Sequence, residues 1–434
     1  MAQFRKDTHQ YLNDGKTIFE TVMLADQFGN LVGAANPTGM AVDAFGRARV
    51  SQPLTLFDSS HRYRDNGKIS SANSATGATI AHNANAGLIE CTLDTTSGSF
   101  IKRESSRVFA YQPGKSLLIL QSFVLATAKA GLRQRYGYFN EQNGVLLQLD
   151  GTELSFIERS FVTGVATETK VTQASWNVDK MDGTGPSRLV LDISKAQILF
   201  IDIEWLGLGT VRCGFVIDGK FIHCHSFHHA NIIQSTYITT AVLPVRAEIE
   251  NTGTTSSNST LRIVCASVIS EGGYELRGRP RTIGQSPVAA SQYAMATAGT
   301  FYPVQAIRLN PANIDAIVIP KDIGMMAISS GFYQLKLVSG ATIAGAVWAN
   351  VASDSSVQYN TNTSATMSGG TDLFSDYLAV TNQAATSINI GDNLFKYQLE
   401  RNSFANTPLS FVVAVTSSAA SANTVASISW EEVT

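Results

Sequence analysis

Two Asp-Gly dipeptides, each set inside a run of alternating apolar residues, commit much of this chain to β-hairpins. A type I′ turn needs φ > 0 at both central positions, and Asp-Gly meets that need at low steric cost. In GVLLQLDGTELSF (144–156), an Asp150-Gly151 loop predicts Leu149 opposite Thr152, Leu147 opposite Leu154 and Val145 opposite Phe156, with Gln148 and Glu153 on the other face. In VRCGFVIDGKFIHCHSF (211–227), an Asp218-Gly219 loop predicts Ile217 opposite Lys220, Phe215 opposite Ile222, Cys213 opposite Cys224 and Val211 opposite Ser226. It also places Val216 opposite Phe221, Gly214 opposite His223 and Arg212 opposite His225.

The stretch ILFIDIEW alternates as cleanly, with Leu199, Ile201, Ile203 and Trp205 on one face and Asp202 and Glu204 on the other. Beyond the first twenty residues no segment sustains a 3.6-residue apolar period. Short strands bounded by Gly, Asn, Asp and Ser predict an all-β chain of two antiparallel, jelly-roll-like β-sandwich domains with an N-terminal extended segment.

The expected boundaries are a docking segment over 1–50, a main sandwich over 51–275, a linker over 276–300 and a C-terminal sandwich over 301–434. The linker is marked by RGRPRTIGQSP, whose basic cluster RGRPR (277–281) is expected as a solvated stretch rather than a phosphate contact. The first fifty residues scatter Phe4, Tyr11, Leu12, Phe19, Met23, Leu24, Phe28 and Leu31 among glycines and polar residues. That is enough apolar surface to bind a neighbour and too little for a separate core.

Charged residues make up 15% of the 434, well below the roughly 25% of ordinary soluble domains. Ser, Thr, Asn and Gly fill the gap, a surface suited to close contact with other chains. A net charge of −2 provides no basic nucleic-acid surface, so no nucleic-acid partner is expected. The apolar run SLLILQSFVLATA falls short of the roughly 18 residues of a membrane helix, so no membrane insertion is expected. MAQFRKDTHQYLNDGK has no apolar core of a secretory signal. Cys91, Cys213, Cys224 and Cys265 form no CxxC, and free thiols made in a reducing cytosol are expected.

Chemistry concentrates in HCHSFHH (223–229), which holds four of the seven histidines. On a strand with period two, Cys224 points away from His223 and His225, so these three make no single metal site. His223 and His225 share a face, but Arg212 opposite would repel a cation and no third ligand is in view. His228 and His229 follow where the strand should end. Nucleotide motifs fail on spacing: YQPGKS and LNDGKT have Phe109 and Gln10 where a phosphate loop needs Gly. GLGTVRCG lacks the third glycine of a dinucleotide fingerprint, HExxH and GxSxG are absent, and DKMDGTG (179–185) offers too few oxygens for calcium. No catalytic, cofactor-binding or metal residue is assigned, no cofactor is expected, and the chain is read as no enzyme.

The stretch DAFGRARVSQPLTLFDSSHRY (43–63) resembles a segment recurrent in virion structural proteins of tailed bacteriophages, especially those of marine and cyanobacterial hosts. Similar echoes run through YQPGKSLLIL, RQRYGYFNEQNGVLLQLDGTELSF, VTQASWNVDKMDGTGPS and IEWLGLGTVRCGFVIDGKFIHCHSFHHAN, and from GGTDLFSDYLAV to SISWEEV. The resemblance implies a structural component of the virion (tail, neck, fibre or capsid surface), assembled in the bacterial host cytoplasm. It implies a homo-oligomer, with a trimer favoured, and other phage virion proteins as partners; it carries no catalytic residues. The alternative is a receptor-binding fibre that recognises host-surface glycans, for which Trp205 and Tyr136 are candidate stacking aromatics. A glycan-degrading enzyme would need an acid pair about 5–9.5 Å apart in a groove.

Overall fold

The computed structural model describes residues 9–11, 18–20, 52–109, 111–273, 278–381, 384–389, 398–402, 404 and 407–433. The chain divides into two compact units, Met1–Gln52 and Pro53–Thr434. In the first, strands His9–Tyr11 and Ile18–Glu20 pair antiparallel with His9 opposite Glu20; the rest of the expected docking segment lies outside the described residues.

Among the described residues of the second unit there is no α-helix, only strands and three 3₁₀ turns. Fifteen strands build the first sandwich. They are β1 (Leu54–Ser60), β2 (Ile69–Asn73), β3 (Ala78–Asn83), β4 (Leu88–Leu93), β5 (Phe100–Ser105), β6 (Leu117–Val124), β7 (Leu132–Phe139), β8 (Gly144–Asp150), β9 (Glu153–Ser160), β10 (Thr167–Thr172), β11 (Gln197–Ile203), β12 (Val211–Ile217), β13 (Lys220–Phe227), β14 (Val245–Asn251) and β15 (Ser259–Ser270). One sheet runs β10-β9-β8-β7-β14-β5-β2; the other runs β13-β12-β11-β6-β15-β4-β3, with β1 also on β15. All pairings are antiparallel and the chain passes repeatedly from sheet to sheet, as expected for a jelly-roll-like sandwich.

Alternation explains the core. In β6, Leu117, Ile119 and Phe123 point inward while their neighbours are half-buried. Leu199, Ile201 and Ile203 of β11 also point into the core, as their spacing predicts. Paired rings fill the space between the sheets: Phe123 stacked on Tyr136 at 4.3 Å, and Phe156 tilted against Trp176 at 4.7 Å. Burying each such ring contributes about 2–3 kcal/mol relative to solvent exposure.

The Asp150 hairpin corrects its predicted register. Asp150 pairs with Glu153, Leu149 with Leu154 and Leu147 with Phe156, so Gly151 and Thr152 form the loop. Gly151 has φ +59° and Thr152 no positive φ, the pattern of a II′ rather than a I′ turn. The physical reason is packing: this register sets Leu147 opposite Phe156 and Leu149 opposite Leu154 on one face, and on the other Leu146 opposite Ile157 over a second small cluster with Phe139.

The second sandwich has eleven further strands in its two sheets: β16 (Arg279–Gly284), β17 (Tyr293–Met295), β18 (Tyr302–Leu309), β19 (Ile317–Ala327), β20 (Gly331–Ser339), β21 (Trp348–Asn350), β22 (Val357–Asn360), β23 (Thr371–Val380), β24 (Ala384–Asn389), β25 (Ser410–Ser417) and β26 (Ala422–Val433). One sheet runs β16-β26-β19-β24 with β17 also on β26, the other β21-β22-β18-β25-β20-β23. Residues 276–300, expected as a linker, therefore supply two strands of this sandwich. Pro280 is tolerated because β16 lies at a sheet edge, where a missing N–H costs no ladder bond. Of the RGRPR cluster, Arg277 lies outside the described residues, Arg279 and Pro280 stay exposed as expected of a solvated stretch, and Arg281 turns inward; Arg279 and Arg281 both pair with Asp354, and Arg281 approaches Glu432.

The sandwiches meet at a seam that mixes apolar and ionic contacts. Val242 packs against Ile317 and Ile319. The Arg401 N–H donates to the Ser106 carbonyl at 3.2 Å, and Gln398 Nε2 to the Val108 carbonyl at 2.7 Å. Arg401 also reaches Glu104 at 3.7 Å and Asp315 at 3.0 Å.

Candidate functional site

The histidine-rich heptapeptide occupies β13 and the loop that follows. Asp218 (φ +50°) and Gly219 (φ +75°) form the predicted I′ turn, and the pairs from Ile217–Lys220 to Gly214–His223 hold as expected. The register then shifts. Cys213 lies opposite His225 rather than Cys224, Arg212 opposite Ser226, and Val211 opposite Phe227. Cys224 is the extra residue of a β-bulge. A Cβ at Gly214 would lie 2.0 Å from the Ile222 carbonyl, so the glycine is what admits this close approach. The shift sets buried Val211 against buried Phe227, where the unshifted register would have wasted Val211 on a serine. The Cys224 carbonyl, displaced from the ladder, accepts from the N–H groups of Val178 and Asp179 at 3.1 and 3.0 Å. Cys213 and Cys224 are buried free thiols.

The four imidazoles take four separate sets of partners. His223 Nε2 lies 2.9 Å from Ser226 Oγ. His225 Nδ1 accepts from the Asn177 N–H at 3.3 Å, and its ring stands edge-on to Phe227. Burial, then the neighbouring His223 and His228, pulls the His225 pKa down to about 4. His228 Nδ1 faces Thr210 Oγ1 at 3.3 Å. His229 leaves the strand and stacks on Tyr237 at 4.0 Å, its Nε2 on Glu158 Oε2 and its Nδ1 on the Gly209 carbonyl. Burial opposes the His229 charge, but the Glu158 hydrogen bond, the Gly209 carbonyl and the Glu158 charge outweigh it and raise the pKa. Among the described residues, no three His, Cys, Asp or Glu side chains gather as a metal site.

Beside this hairpin an open pocket of about 490 Å³ is lined by Tyr111, Lys115, Asp202, Glu204, Thr210 and Arg212. Asp202 is ion-paired with Arg212, and burial lifts its carboxyl above the ordinary range despite that partner. The two candidate stacking aromatics are spent on packing. Tyr136 is buried against Phe123, and Trp205 sits half-buried with its ring edge-to-face on Tyr111 at 5.6 Å. In DKMDGTG, Asp179 is buried and accepts from the Met181 and Ser187 N–H groups at 2.8 and 2.7 Å, a turn organiser.

A second cleft, of about 460 Å³, opens between the sandwiches. One wall is the loop His61–Lys68; the other carries Thr371, Leu373, Phe411, Gln398 and Glu400. Arg62, Tyr63 and Arg64 project from the loop, which is pinned at its base. Arg103 holds Asp65 through two bonds of 2.5 and 3.0 Å, and Asn66 Nδ2 donates to Ser59 Oγ at 2.9 Å. Sequence reading passed over this loop; the Arg-Tyr-Arg triplet ahead of Asp-Asn-Gly was its available signal.

No family model and no curated protein matches the chain. Among solved structures it is similar to a β-glucanase of Bacillus licheniformis, 10% identical over 49% of this chain and 96% of that one, with a TM-score of 0.32. A carbohydrate esterase from the Shiga toxin-encoding bacteriophage phi24B is 14% identical over 51% and 100%, at 0.30. Arcelin-5, a lectin-like defence protein of Phaseolus vulgaris, is 11% identical over 51% and 99%, at 0.32. Scores this low carry no argument about function, and the fold assignment rests on the strand pairings.

Proposed function

We propose that this chain is a non-catalytic structural subunit of a tailed-phage virion, placed on the tail, neck, fibre or capsid surface as a homo-oligomer, with a trimer favoured. The observation that carries the reading is the seam: two sandwiches joined by buried ionic and apolar contacts in place of the expected linker. A body built this way transmits force and holds its faces in fixed relation. Apolar side chains stand out on those faces, Phe332 at 71% and Tyr377 at 74% exposure on the outer side of β20 and of edge strand β23, ready to meet a second copy. The sequence resemblance to virion proteins supports the same conclusion. Two of the carboxylates near the histidine hairpin are engaged, Asp202 by Arg212 and Glu158 by His229, which favours a non-catalytic role.

Light scattering of the purified protein is expected to give a trimer mass, and mass spectrometry of purified particles to find the chain in stoichiometric amount. Deleting residues 1–40 should leave a folded protein that fails to oligomerise or to join particles. A monomer at micromolar concentration, absent from particles, refutes the proposal. The second reading, a fibre recognising host-surface glycans, is favoured by the cleft between the sandwiches.

A further inference from the structure

We infer that the cleft between the sandwiches binds an acidic saccharide, with Arg62 and Arg64 taking its carboxylate or sulfate groups and Tyr63 stacking on a sugar ring. Arginines elsewhere in the described structure are engaged with acceptors almost throughout. Arg133, Arg135, Arg159, Arg246 and Arg262 all hold carboxylates, and Arg308 holds the Gln358 side-chain carbonyl. Arg62 and Arg64 hold none among the described residues; Arg62 merely overhangs the Tyr63 ring at 5.0 Å. Two guanidiniums without counter-ions, one residue apart on the rim of the same cleft, are a standing attraction for a bidentate oxyanion.

Tyr63 between them is 81% exposed, the most exposed large apolar side chain in the described structure. A flat ring presented to solvent beside cations suits a saccharide, whose apolar ring face packs on an aromatic while its acid group reaches the arginines. The loop does not need to be ordered by the ligand. The Arg103 pair to Asp65, the Asn66 N–H on His61 Nδ1 at 3.3 Å and the His82 contact to the His61 carbonyl at 2.6 Å already fix it. Preorganisation of this kind removes an entropic cost from binding. The facing wall supplies hydroxyl and amide groups from Ser339, Thr371 and Gln398. The one acid in the lining, Glu400, accepts from Ser106 Oγ at 3.3 Å, and burial raises its pKa toward the neutral form.

This deepens the glycan-recognition reading, and the experiment keeps the two apart. Full-length protein is titrated by calorimetry with an oligogalacturonate, a chondroitin sulfate oligosaccharide, neutral dextran and a single-stranded oligodeoxynucleotide of matched charge. The expected result is binding of one or both acidic saccharides, abolished at high salt, and weakened roughly tenfold or more by Arg62→Gln with Arg64→Gln. The first two titrants identify which acid group is preferred. Tyr63→Ala weakens the saccharides several-fold and leaves inorganic sulfate unaffected. The inference is overturned if neither acidic saccharide binds, if the double variant binds as tightly as the parent, or if the oligonucleotide binds better and ignores Tyr63→Ala. Dextran binding that survives the double variant would overturn this site while leaving glycan recognition elsewhere standing.

Discussion

His229 donates from Nε2 to Glu158 Oε2 across 2.8 Å, while its Nδ1 faces the Gly209 carbonyl at 2.5 Å. Both ring nitrogens thus face acceptors, and only the imidazolium satisfies both. The pair ties β9 in one sheet to the end of β13 in the other. A histidine whose folded pKa is raised above 6.5 contributes stability that is fully present below 6.5 and lost as pH rises through the raised value. Glu158→Gln is expected to cost roughly 3 kcal/mol at pH 6 and clearly less at pH 9. Urea denaturation of parent and variant at both pH values checks this; an equal cost at both would show that the pair is not charged.

The opposite sign applies to His225 and His61, whose pKa values are each lowered to about 4, first by burial. Groups held neutral in this way contribute stability that is present above 6.5 and lost as pH falls toward 4. The melting temperature should therefore drop between pH 6.5 and 4, and His225→Gln should flatten part of that drop while costing little at neutral pH. An unchanged acid limb in the variant would mean that carboxylates elsewhere set it.

Strand alternation made the class of fold legible, since it is a property of side chains along one strand. Register was legible only as far as local rules hold. The turn at Asp218-Gly219 and its first four pairs follow from turn geometry, but the bulge at Cys224 depends on Phe227 needing Val211 across the ladder, a tertiary demand. The same competition moved the other turn from Asp150-Gly151 to Gly151-Thr152, and from I′ to II′. Arg279–Gly284 reads as a linker because its partner β26 lies almost 150 residues away. The His229–Glu158 pair and the cleft loop were invisible for that reason too: each joins residues from separate elements.

Glycines 214 and 219 sit on one hairpin and should respond differently to alanine. At Gly219, with φ +75° and nothing within 4 Å of an added Cβ, the cost is backbone strain of about 1 kcal/mol. At Gly214 the Cβ would meet the Ile222 carbonyl at 2.0 Å and the Phe200 ring at 2.7 Å, so the ladder itself must part. Gly214→Ala is expected to cost on the order of 3 kcal/mol or more. Thermal melts of the two variants test the contrast; comparable small losses would place the bulge elsewhere.

The seam between the sandwiches is testable through Arg401. Its guanidinium reaches Glu104 and Asp315, and Glu104 is shared with Arg246, which also holds Glu141 and Glu248. Arg401→Ala therefore leaves Glu104 with one cation rather than none, so the loss should fall below the roughly 3–5 kcal/mol of a fully orphaned buried charge, at about 2 kcal/mol. The effect on cooperativity is the sharper readout. Domains linked through a seam unfold together only while that seam contributes more than the difference between their separate stabilities. Arg401→Ala should thus broaden or split a urea transition that is single in the parent. Lys336→Ala breaks a more exposed pair with Asp372, 2.7 Å long, and should cost under about 1 kcal/mol with the transition shape kept. If both variants shift the midpoint alike and neither changes the shape, the ionic part of the seam does not couple the sandwiches, and the coupling falls to the apolar contact of Val242 with Ile317 and Ile319 and to the hydrogen bonds onto the Ser106 and Val108 carbonyls.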